Sequence, residues 1–126
     1  MAKPDERPVD VGVASLHGKD EATAIEWWKE RLRLIAAVPQ EVARVGALTP
    51  TLRELVRIAD DAERKRLTRA RLIAFGQLPP EQRQPVAEAR KKAWEVDRDV
   101  LERDQKLVDE ILPTLDPGIR SVYPTP

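Results

Sequence analysis

Eleven prolines punctuate this chain, and their spacing constrains the fold more than any other feature. They fall at 4 and 8, at 39 and 50, at 79, 80 and 85, and at 113, 117, 124 and 126. Proline lacks a backbone donor and its ring crowds the carbonyl four residues back, so a helix begins at a proline or stops before one. The proline-free windows therefore mark where helices can run.

In the first window, Asp20 stands where a helix would start and Pro39 where it must stop, predicting a helix over about 20–38. Ala22, Ile25, Trp28, Leu32, Ile35 and Ala36 recur at three-four spacing, and Trp27, Leu34 and Val38 form a second row beside them. A short helical piece ending at Gly46 follows. The second window opens with Thr49 at a capping position and Pro50 at the first helical position. No breaker appears before Gly76, which predicts one helix over about 49–75. The third helix is expected over about 85–112, with Pro85 in its first turn and Pro113 closing it. There Val86, Ala93, Val100 and Leu107 recur every seven residues beside Ala87, Trp94, Leu101 and Val108, the pattern of bundle packing.

The fold class expected is all-α, a small helical bundle of three main helices. Residues 1–18 and 113–126 are expected as extended arms flanking a helical domain at 19–112. In the N-terminal arm, "VDVGVASL" could lie against the domain or add as an edge strand, and Val9, Val11, Val13 and Leu16 give it something to bury. A composition of 41% apolar and 35% charged residues, with few aromatics, suits long amphipathic helices.

Several chemistries find no support in these residues. The absence of cysteine removes disulfides, thiol catalysis and cysteine-based metal sites. His17 is the single histidine, and it sits in the N-terminal arm, so neither a zinc site nor a di-iron bundle has its ligands. Ser15 and Ser121 lie in the arms without a base nearby, and the five glycines are scattered singly. Asp97 and Asp104, seven apart on one helix, would lie about 10.5 Å apart along its axis. That exceeds the roughly 5–9.5 Å of paired catalytic carboxylates. Pairing with arginines of the second helix, or plain solvation, is the expectation for both. No independent catalysis, cofactor or metal is expected. The chain has no apolar run long enough to span a membrane and no secretory h-region at its start, and a cytoplasmic location is expected.

Net charge is zero, but its distribution is uneven. Residues 64–92 are mostly basic and residues 93–116 mostly acidic. Arg64, Lys65, Arg66, Arg69 and Arg71 could contact phosphates, which makes a nucleic-acid-binding protein the alternative reading. The leading expectation rests on the aromatics. Trp27 and Trp28 point about 100° apart on a helix, so one narrow stripe does not easily bury both. Trp27, Trp28, Leu34, Trp94 and Tyr123 are the candidate partner-binding residues, since tryptophan and tyrosine are favoured at interface hot spots. The sequence thus points to a non-catalytic helical interaction protein, either an accessory subunit of a larger complex or a homo-oligomer, with another protein chain or itself as partner.

Overall fold

The computed structural model describes residues 12–123, and all regular structure among them is helical. The chain opens with a 3₁₀ turn, Val13–Leu16, and continues through α1 (Glu21–Ala36), α2 (Glu41–Val56), α3 (Asp61–Gln77), α4 (Pro80–Val96) and α5 (Arg98–Ile111). A second 3₁₀ turn, Leu112–Thr114, leads into the short α6 (Pro117–Val122). Five long helices replace the three expected, because each of the two longest predicted helices is broken once.

α1 matches its expected start. Asp20 caps it, accepting a hydrogen bond from the Thr23 N–H at 2.8 Å, and Ala24, Trp28, Leu32 and Ile35 face inward. The helix expected over 49–75 departs from its prediction at both ends of its first half. Thr49 does not cap anything: its hydroxyl donates to the Val45 carbonyl at 2.8 Å from inside α2. Pro50 lies within the same helix, where it offers no N–H to the Gly46 carbonyl four residues back. Gly46 is exposed, so the backbone that loses this hydrogen bond lies at the surface. α2 then stops at Val56, and Asp60 restarts the chain as the cap of α3, its carboxylate accepting from the Glu63 N–H at 2.8 Å.

The expected helix over 85–112 begins earlier, with Pro80 at its first position, and breaks at Asp97. Asp97 adopts φ −150° and ψ 81°, and its side chain accepts from the Val100 N–H at 3.2 Å to cap α5. Arg53 from α2 grips the same carboxylate through Nε at 3.2 Å and Nη2 at 3.0 Å. This cross-helix clamp holds the break where no glycine or proline would demand one.

The arms also differ from expectation where they are described. Val13 and Leu16 are buried in the core, and the Val13 N–H donates to Glu54 Oε1 at 2.7 Å. The stretch Val9 to Val11 lies outside the described residues. The C-terminal arm is not extended: it turns at Asp116 into α6, buries Leu115 and Tyr123, and lays Ile119 against Gly76. A Cβ on Gly76 would come within 3.1 Å of Ile119, so the missing side chain is what lets α6 approach α3.

α3 is the central helix. It packs against α1 most extensively and also meets α2, α5 and α6. Leu67, Thr68, Ala70, Arg71, Leu72, Ala74 and Phe75 are all buried, so its second half is enclosed on several sides. No helix among the described residues is long and apolar enough to cross a membrane.

Candidate functional site

A group of polar side chains lies inside this core. α5 presents Val100, Leu101, Leu107, Val108 and Ile111 to the interior, and Asp104 occupies the same inward stripe. Arg71 of α3 and Arg90 of α4 converge on it. Arg71 Nη2 donates to Asp104 Oδ1 at 2.7 Å. Arg90 donates to Oδ2 through Nε at 3.1 Å and Nη2 at 2.8 Å, and its Nη2 also reaches Gln105 Oε1 at 3.0 Å. Asp104 is wholly buried, and Arg71 and Arg90 are only 4% and 7% exposed.

Two cations therefore face one carboxylate. Burial disfavours the charged guanidinium of Arg71, yet Asp104 and Tyr123 together outweigh it and hold its pKa above the usual arginine value. A guanidinium carries five N–H donors. Arg71 places one on Asp104 and one, at a long 3.5 Å, on the Tyr123 hydroxyl, while its buried Nε has no partner. Beside it is a cavity of about 10 Å³ walled by Leu32, Leu48, Phe75, Val86 and Tyr123. The Tyr123 ring packs edge-on to Phe75 at 5.3 Å, and Arg90 lies 6.0 Å from its face.

The other sequence-derived candidates lie apart from this cluster. Trp28 is fully buried, so its area is inside the protein and not available to a partner. Tyr123 is buried by its own chain as well. Trp27 packs on the core margin, edge-on to Trp28 at 5.1 Å and under Arg31 at 4.6 Å. This accommodates the adjacent pair: one ring goes into the core and the other is sandwiched at its edge. Leu34 is exposed, and Trp94 is half-buried with Arg98 5.8 Å from its ring. These residues do not form one surface with Tyr123.

The basic stretch is occupied within the chain. Arg64 bonds the Ile58 carbonyl and Asp61. Lys65 bridges Asp61 at 3.1 Å and Glu110 at 2.6 Å. Arg66 binds Glu63 and the carbonyls of Leu16 and Lys19, Arg69 pairs with Glu21 at 3.0 Å, and Arg71 is in the core. His17 is largely exposed with Glu63 3.7 Å away. Among the described residues no three histidine or acidic side chains gather as a metal site.

One surface stands out for the opposite reason. Between α2 and α4 runs a groove of about 500 Å³ with Val45 and Gly46 on one side and Val96 on the other. Val42 is 84% exposed and Val96 63%, the two most exposed large apolar residues among those described. Glu41, Lys92 and Glu95 rim the groove, and none of them makes an ion pair among the described residues, although most charged side chains of α3 do. Sequence periodicity did not single out this groove, because Val42 and Val96 belong to different helices and neither falls on an inward row.

Compared with known protein families, characterised proteins and solved structures, the chain matches none.

Proposed function

We propose that this chain is a non-catalytic helical interaction protein whose partner is a second copy of itself, docked through the α2/α4 groove. The observation that carries the reading is the pairing of an exposed apolar centre with an unpaired charged rim. Val42, one turn before Gly46 on α2, and Val96 on α4 both stand out from the surface, and a side-chain-free helix position admits close approach of another helix. The rim holds both signs of charge, Lys92 and Glu95 from α4 and Glu41 from α2. A two-fold contact sets the same patch against itself, so Lys92 of each copy can meet a glutamate of the other. A groove rimmed by one sign alone would repel its copy. The face differs from the tryptophan margin expected from sequence, since Trp28 is core and Trp27 is covered by Arg31.

Sedimentation equilibrium of the purified chain tests this. The wild type should be a dimer, and Val42→Glu combined with Val96→Glu should yield a folded monomer, since both positions are exposed. Lys92→Glu should weaken the dimer and Lys92→Glu with Glu95→Lys should restore it. A wild type that stays monomeric at high micromolar concentration overturns the reading.

A further inference from the structure

We infer that the Arg71–Arg90 pair is a binding site for a small aromatic carboxylate, and that Tyr123 on the C-terminal segment is the lid that this ligand displaces. The inference stands apart from the dimer and rests on different residues.

The first ground is charge. Within the core, two guanidinium groups are balanced by a single carboxylate, Asp104. A cation removed from water is stable only when paired and hydrogen-bonded. Arg90 meets this condition, with two bonds to Asp104 and one to Gln105. Arg71 meets it only in part. Its Nε is buried without a partner, and its contact to the Tyr123 hydroxyl is at the outer limit of a hydrogen bond. Beyond its one bond to Asp104, this guanidinium still has a buried donor to place.

The second ground is shape. The cavity against Arg71 has room for about one water molecule, so an organic ligand can enter only by taking the place of something already there. The Tyr123 ring is what fills the space, against Phe75 and beneath Arg90. A benzoate ring set in that position would make the same contacts with Leu32, Leu48, Phe75 and Val86. It would also bring two carboxylate oxygens to Arg71 where the phenol brings one neutral oxygen. Charge-assisted bonds of this kind are shorter and about twice as strong as neutral ones.

The third ground is how the lid is held. Tyr123 follows α6, a helix of six residues with no fully buried residue of its own. Its approach to α3 depends on Ile119 fitting over Gly76. α6 itself adds only the half-buried Ile119 to the core, so the lid is a short terminal element, the kind of segment that opens locally before the rest of a fold.

The chain has one tyrosine, so a fluorotyrosine label reports on the lid alone. In fluorine NMR, benzoate should move this resonance toward its solvent-exposed position, whereas phenol, with the ring but no charge, should not. Gly76→Val, which wedges α6 away from α3 without touching the pocket, should tighten benzoate binding about tenfold by removing the cost of opening. Arg71→Met should abolish the response; Asp104 remains paired to Arg90 in that variant, so the fold is retained. In Tyr123→Ala, benzoate should raise the melting temperature more than phenol does. If benzoate moves the resonance in neither the wild type nor Gly76→Val, and fails to stabilise Tyr123→Ala, the site does not bind carboxylates. If phenol acts as well as benzoate throughout, the pocket selects rings and not anions, and the inference is equally overturned.

Discussion

Arg66 and Arg71 are five residues apart in one basic run on one helix, and the two ends of that run behave differently. At the surface end, Arg66 makes four hydrogen bonds, to both oxygens of Glu63 and to the carbonyls of Leu16 and Lys19. It thereby ties the N-terminal turn to α3. At the buried end, Arg71 makes two, one of them long, and leaves a donor unmet. The better-satisfied arginine is thus the one that water could have satisfied anyway. Surface pairs exchange one good environment for another and are worth little, whereas a buried charge has no alternative to its protein partners. The number of bonds is therefore a poor guide to what each contributes, and burial is the better one.

The largest break in this comparison should come from Asp104→Leu. It leaves Arg71 and Arg90 buried together with no carboxylate, and urea denaturation should show a loss of about 3–5 kcal/mol. Arg71→Met should cost less than half as much, because the surviving Arg90–Asp104 pair is neutral and doubly bonded. Equal losses for the two variants would mean that the excess positive charge is not what distinguishes the core cluster.

Asp97 sharpens the comparison from an intermediate position, partly exposed yet bound to another helix. Hydrogen bonding from Arg53, and then from the Val100 N–H, holds its pKa below the usual carboxylate value of 3.8. A group with a depressed folded-state pKa stabilises the fold fully above its unfolded value and loses that contribution as pH falls through the folded one. Asp97→Asn should therefore melt a few degrees below the wild type at neutral pH. Thermal melts across pH should show the gap closing below about 3.8. A gap that persists unchanged at low pH would assign the effect to the cap geometry and not to the charge. The smallest effect is expected for Arg69→Ala, whose exposed pair with Glu21 joins α3 to α1. It should lose no more than about 1 kcal/mol and less in high salt, again by urea denaturation.

Parts of this arrangement were legible before the structure. The proline spacing and apolar rows place α1 between Asp20 and Pro39, and the expected arginine partners of Asp97 and Asp104 are present as Arg53 and Arg71. Both helix breaks passed unnoticed because neither carries a glycine or proline. The sequence does hold a trace of the first, since Asp60 is followed three residues later by Glu63, a start signal inside an apparently continuous helix. It also holds a trace of the core cluster: Asp104 stands in a stripe of Val100, Leu101, Leu107, Val108 and Ile111 where an apolar residue is expected. The α2/α4 groove left no such trace, because exposed valines on two separate helices look like ordinary surface until the helices are set side by side.

By itself, then, the sequence determined what is local: helical structure throughout the described residues, a cap at Asp20, and inward rows at three-four spacing. These depend on backbone chemistry and on neighbours within one turn. Tertiary structure alone decided whether Pro50 would start a helix or sit inside one, and whether Asp97 would interrupt one. It also decided that Arg71 is core while Arg66 is surface. The outcomes at Asp97 and Arg71 turn on partners distant along the chain, Arg53 and Asp104, and such long-range contacts exist only once the helices have packed.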